Sequence, residues 1–390
     1  DACTKAIPTR RPIRHGKISF YQYLRHTLRS APQSEKGDAK MKFGLFHSIQ
    51  LPDPTKQKQY YQDALEQVLW AEQLGYESVW MTEHHFSQHG IVSASLSVLA
   101  YLAALTHTIR LGTAVTVLPF HNPIHIAEET ATVDLLSDGR LELGVGRGYQ
   151  WGEFHRLNIP MAEADERFQE AMEVLIKAWT AREPFDHRGT YWTFNDMTIH
   201  PRPVQSPHPP VWVAATSPGS MDRIAQQHWN LLIGQGKPFQ QVADQLAYFK
   251  RAVMEAGDAY DPGRVKVARA MYTAPTAEQA RQDAEGPFTW FRKTSHAVGA
   301  PPGRRTALLP DNYERYRQRF AAETAFDYDD MQDRVILFGS PGHVAERVDR
   351  LRQSGADQLI LFVNCGGIDN KKVMNSLELF ASKVMPQFAD

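Results

Sequence analysis

From Met41 onward, short runs rich in apolar and β-branched residues alternate with longer stretches of helical, amphipathic character. The runs at 42–47, 78–82, 110–117, 141–145, 211–215, 231–233, 265–272 and 358–363 each read as a strand, because short apolar segments bounded by turn residues fit buried strands. Strand and helix in strict alternation predict a parallel sheet covered by helices. Eight such strands suit a closed (β/α)8 TIM barrel, an α/β fold, better than an open sheet. The helix before the second strand is the easiest to read. Asp63, Leu65, Val68, Leu69, Glu72 and Leu74 give the amphipathic spacing, and Gly75 follows as its stop. Between the seventh and eighth strands the alternation breaks over 286–330, which holds Pro301-Pro302-Gly303. We expect a long irregular insertion there. Barrel active sites form at the carboxyl ends of the strands, so this insertion would be an active-site lid.

Composition narrows the class of partner. The chain has 390 residues, 42% of them hydrophobic, enough for one large domain spanning 41–390. A formal net charge of −1 gives no reason to expect nucleic acid or an anionic membrane as a partner. No apolar run approaches the roughly 18 residues of a membrane span. The two cysteines, Cys3 and Cys365, cannot form a disulfide framework and suit a reducing, cytoplasmic setting. Cys365 follows a strand and reads as an inert buried thiol. Residues 1–40 differ from the rest, with nine Lys and Arg against three acidic residues and little apolar periodicity. They read as a basic amino-terminal extension rather than a targeting signal, with a short helix at 18–28, and Met41-Lys42-Phe43 has the look of a natural start.

Candidate chemistry gathers where strands end. Residues 110–154 read as strand, loop, helix, strand and loop, closing in the turn Gly146-Arg147-Gly148. Such a turn after a buried strand brings backbone N–H groups and a guanidinium against an anion, typically a phosphate. Gly144-Val145-Gly146-Arg147-Gly148 has the wrong spacing for a dinucleotide fingerprint and lies on the fourth strand, which argues against a nicotinamide site. The second strand runs into Glu83-His84-His85-Phe86. Consecutive residues of an extended segment face opposite ways, so His84 and His85 do not suit one metal ion, and no metal site is expected.

Taken together, these residues closely resemble the bacterial luciferase-like flavin-dependent monooxygenases, from Met41 to about Phe388. The resemblance implies that His84, in Thr-Glu-His-His-Phe, is the catalytic histidine that handles protons beside the flavin. It implies that Arg147 grips the phosphate of FMN. The loop 213–220 would complete that site through Ala215, Thr216, Ser217 and Ser220, and a serine-rich helix start serves both as a cap and as an anion site. Arg167, on the following helix, is a weaker candidate for a second cation. The Ala114–Val115 bond matches a cis peptide beneath the flavin ring. Gly339-Ser340-Pro341 and the segment closing in Ser382-Lys383-Val384-Met385-Pro386 resemble the family's carboxyl-terminal part.

The implied activity uses reduced FMN (FMNH2) from a separate flavin reductase and molecular oxygen. Together these form a flavin C4a-peroxide that oxygenates a small organic substrate. A homodimer through helices near the second and third strands is implied as well. There are departures. Gly146 stands where bacterial luciferase has a reactive cysteine, so light emission is not implied, and 231–236 match too weakly to carry over the aldehyde substrate. Two other classes remain open on the same fold: an F420-dependent hydride-transfer oxidoreductase, and a non-catalytic flavin-binding protein.

Overall fold

The computed structural model describes residues 40–321 and 327–389. The basic amino-terminal segment, its expected helix at 18–28 and Cys3 lie outside the described residues. Eight parallel strands close a barrel. They are β1 (Lys42–His47), β2 (Ser78–Met81), β3 (Arg110–Thr113), β5 (Leu141–Gly146), β8 (Val211–Ala214), β9 (Asn230–Ile233), β10 (Val265–Thr273) and β12 (Gln358–Phe362), hydrogen-bonded in that order. The ring closes where β12 pairs with β1, Leu359 opposite Phe43. Strand β4 (Thr116–Val117) continues the line of β3 and pairs with β5.

Helices α1 (Gln57–Gln73), α2 (Ser95–Leu105), α3 (Pro123–Leu136), α4 (Trp151–Arg156), α5 (Ala164–Thr180), α6 (Pro218–Gln226) and α7 (Phe239–Glu255) follow successive strands. After β10 come α8 (Ala277–Gly299), α9 (Glu314–Ala321), α10 (Tyr328–Arg334), the short strand β11 (Leu337–Gly339) and α11 (Pro341–Gln353); α12 (Asn370–Lys383) follows β12. The fold agrees with the sequence reading, and three details differ.

The expected single strand over 110–117 is interrupted at a cis Ala114–Val115 peptide, which the family resemblance had implied. An antiparallel hairpin of β6 (Phe185–Arg188) and β7 (Thr193–Met197) was not expected. The stretch 286–330 is also less irregular than its prolines and glycines suggest. Its first fourteen residues (286–299) complete α8, with Pro287 inside the helix, and much of the rest forms short 3-10 turns, α9 and the start of α10.

Side chains plug the barrel's lower end. Lys266, Glu142 and Gln358 occupy the first or second positions of their strands. Lys266 Nζ lies 3.3 Å from Glu142, which also pairs with Arg110. The same ammonium sits 4.2 Å from the Trp212 ring and 5.2 Å from Trp80, a cation–π arrangement that favours leaving water. Trp80 and Trp212 meet edge to face at 5.8 Å and pack with Leu232, Ala268 and Ile360. This layer floors a cavity that opens at the carboxyl ends of the strands.

Candidate active site

The chain leaves β2 at Met81 and stays extended through His85. His84 N–H donates to Val92 O at 2.9 Å, which fixes the loop. The His84 side chain faces the start of α4. Its Nδ1 lies 3.2 Å from Glu153 Oε1 and 2.9 Å from Gln150 Nε2. These two partners suit the two tautomers. With a proton on Nδ1 the ring donates to Glu153; with the proton on Nε2 it accepts from Gln150. Glu153 is buried and held by a second bond, from His85 N–H at 2.9 Å. His84 can therefore exchange a proton without losing its support.

His85 serves another carboxylate. Glu83, almost wholly buried, accepts from His85 Nε2 at 2.9 Å, from His121 Nε2 at 2.8 Å and from Val117 N–H at 3.0 Å. Burial alone would push the Glu83 carboxyl up, but the bonds from His121, His85 and Val117 outweigh it and hold the group below its ordinary range. The bond to Glu83 in turn raises His85. His84 and His85 thus point to different carboxylates, as alternation along an extended segment requires.

At the end of β5, Gly148 has φ +79°, a conformation that glycine adopts without a steric cost. A Cβ there would also meet Val117 Cγ1 at 2.8 Å. The turn projects Arg147 into the cavity mouth. Its guanidinium lies 4.3 Å over the Tyr313 ring, donates to Asn312 O at 3.1 Å and lies 3.7 Å from Asp165. Opposite, Ser217 holds the N-cap position of α6 without a side-chain capping bond, and its Oγ is 2.8 Å from Ser220 Oγ. Gly146 needs its small size. A Cβ there would lie 2.7 Å from Val115 Cγ2, so a cysteine at 146 would require the Ala114–Val115 wall to shift.

His84, Ala114, Val115, Arg147, Ala215, Thr216, Ser217 and Ser220 all line one cavity of about 1360 Å³. Small-molecule pockets run to roughly 300–1,000 Å³, so there is room for a cofactor and a second molecule. Arg167 is not among the lining residues. It pairs with Glu163 at 2.9 Å and stacks over Tyr191 at 4.4 Å, so the expectation of a second cation there is corrected. Arg223 of α6 lines the cavity instead.

Sequence reasoning missed Glu153 and Asp165, whereas Phe291 and Ser295, which line the cavity from α8, fall within the 286–330 stretch expected to lie over the site. Glu153 carried a usable signal, an acidic residue six positions after Arg147 in a helical stretch. Asp165 is brought in by tertiary packing alone.

A flavin mononucleotide fits this donor set. Arg147 and the hydroxyl-bearing start of α6 suit a phosphate. Leu232, Ala268 and Ile360, with Ala114 and Val115, give an apolar wall for a ring system. Among the described residues, no group of three or more His, Cys, Asp or Glu is placed to hold a metal ion, and no helix is long and apolar enough to cross a membrane.

Residues 41–358 match the family described as luciferase-like monooxygenase. The chain is 28% identical over 368 residues to the oxygenase component of the flavin-dependent trigonelline monooxygenase of Acinetobacter baylyi, covering 90% of this chain and 96% of that one. Among solved structures, the monooxygenase RslO1 of Streptomyces bottropensis superposes with a TM-score of 0.77 at 26% identity, over 90% of this chain and all of the other. An F420-dependent secondary alcohol dehydrogenase shares the barrel with a TM-score of 0.70 at 16% identity, again over 90% of this chain and all of the other.

Proposed function

Because the chain belongs to the luciferase-like monooxygenase family, we propose that it is an FMNH2-dependent monooxygenase that transfers one atom of molecular oxygen to a small organic substrate. The observation that carries this reading is the convergence on one cavity of a phosphate-type anion site and a doubly supported histidine. Bound reduced flavin supplies the two electrons that let dioxygen divide, one atom to the substrate and the other to water.

The chain's own residues bind, orient and manage protons. Arg147 and the α6 start anchor the phosphate, which sets the reach of the ring into the barrel. Ala114, Val115, Leu232, Ala268 and Ile360 line the cavity where they would flank that ring, and the tryptophan layer below would keep bulk water from the site. His84 gives or takes a proton beside the reacting atoms, with Glu153 and Gln150 accommodating either tautomer. The wall formed by α8 faces the remaining volume, where the substrate would sit.

Reduced FMN would come from a separate reductase. The name of the Acinetobacter relative, an oxygenase component, supports this. A homodimer is supported by exposed apolar side chains on the helices after the second and third strands, Tyr101 on α2 at 55% exposure and Leu136 on α3 at 59%. A cytoplasmic location agrees with a chain that has two cysteines, of which Cys365 is buried with its thiol pushed well up by burial.

The test is a panel of aldehydes, ketones and aromatics incubated with the protein, an FMN reductase and ¹⁸O-labelled oxygen. A product carrying one ¹⁸O atom is expected. Anaerobic turnover of the same panel with reduced F420, and none with FMN and oxygen, would replace this reading with hydride transfer. Flavin binding with no turnover across a broad panel would favour a non-catalytic flavin-binding protein.

A further inference from the structure

Arg147 does not stand alone at the anion end of the cavity. Asp165 Oδ1 lies 3.7 Å from Arg147 Nη1 and 3.3 Å from Arg223 Nη2, and Asp165 Oδ2 lies 3.5 Å from Arg223 Nη1. Two guanidiniums from different elements, the turn after β5 and the second turn of α6, therefore converge on one carboxylate. All three residues line the cavity beside Thr216, Ser217 and Ser220.

Charge counting shows why the second arginine matters. Arg147 and Asp165 together carry no net charge, so a phosphate dianion arriving at that pair meets no net attraction. Arg223 leaves the cluster at +1. Of the other carboxylates of this region, Asp244 lines the same cavity and accepts from Gln240 Nε2 at 2.9 Å, while Asp222, which accepts from Tyr248 Oη at 2.8 Å, is not among the lining residues. Lys237 and Arg292 also line the cavity, whereas Arg167 is held by Glu163 and Tyr191. The geometry also fits, because planar guanidiniums bind phosphate oxygens in pairs.

Resting on the FMN reading, we propose that Arg223 is a second phosphate-binding residue that acts with Arg147 and contributes to the preference for FMN over riboflavin. Asp165 is a positioning residue that keeps the two guanidiniums together. Arg223 acts on the phosphate alone, since the apolar ring wall lies on the barrel strands and not on α6.

The experiment titrates FMN and riboflavin into the full-length protein and into the Arg223→Gln and Arg223→Lys variants, reading flavin fluorescence. Wild-type protein is expected to bind FMN more tightly than riboflavin. Arg223→Gln should weaken FMN by about 10- to 100-fold, the span of a lost charge-assisted hydrogen bond, and leave riboflavin within about twofold. Arg223→Lys should recover part of the loss, because it restores the charge without the paired geometry. An unchanged FMN-to-riboflavin ratio in Arg223→Gln overturns the proposal while the FMN reading stands. Equal loss of both ligands overturns it too, since that marks a general disturbance of the site. Failure of wild-type protein to bind FMN in either the oxidised or, anaerobically, the reduced state overturns the proposal and the reading beneath it together.

Discussion

Arg147 and His84 line one cavity but should fail in different ways when removed. Arg147 sits at the mouth, where a guanidinium can bond an anion and do nothing else for the reaction. Arg147→Ala should weaken FMN binding by about 1.5–3 kcal/mol, the scale of a hydrogen bond to a charged group. Titration of the variant with FMN checks this, and wild-type affinity would remove the phosphate assignment. His84 contacts Glu153 and Gln150 rather than the anion end. His84→Ala should lower oxygenation by on the order of 100-fold, as for loss of a general acid or base, with FMN affinity little changed. Collapse of binding in that variant would make the histidine structural.

Both residues could be proposed from the sequence because each follows a strand in a run that resembles the family's. Arg223 and Asp165 could not. Each lies on a helix surface where an arginine or aspartate is ordinary, and only the closing of the barrel brings them to the mouth. Arg167 shows the same limit from the other side: it was a plausible cation by position, yet it turns to Glu163 and Tyr191.

Among elements, Glu83 fastens three pieces of chain: the loop after β2 through His85, the residue His121 just before α3, and β4 through Val117 N–H. Glu83→Ala should strand these donors, at a cost toward the lower end of the ~3–5 kcal/mol range for broken buried pairs, since both histidines keep some access to solvent. A denaturant melt measures it. Because the folded-state pKa of Glu83 lies below its unfolded value, its contribution is present above the ordinary carboxylate range and is lost as pH falls through the folded value. Wild-type stability should therefore drop more steeply in acid than that of the variant.

The eight barrel strands could be read because strands covered on both faces become near-continuous apolar runs. The β6–β7 hairpin lacks that signal, with most of β7 partly or fully exposed. Helix α8 was misread because Gly286-Pro287 looks like punctuation, while tertiary packing carries the helix through it. The cis Ala114–Val115 bond had no signal of its own and came only from family likeness.

For the whole molecule, a plugged barrel floor with one cavity of about 1360 Å³ above it makes one flavin per chain the natural stoichiometry. If Tyr101 and Leu136 mark a dimer face, light scattering should give twice the 44.2 kDa chain mass, and Leu136→Glu should shift it toward the monomer. The central claim is that this cavity holds reduced FMN and controls its reaction with oxygen. The most direct measurement needs no substrate: protein loaded anaerobically with reduced FMN is mixed rapidly with oxygenated buffer, and the return of oxidised-flavin absorbance is followed. A flavin-dependent monooxygenase should delay that return relative to free reduced FMN. Return at the free rate, in protein that binds F420 instead, would contradict it.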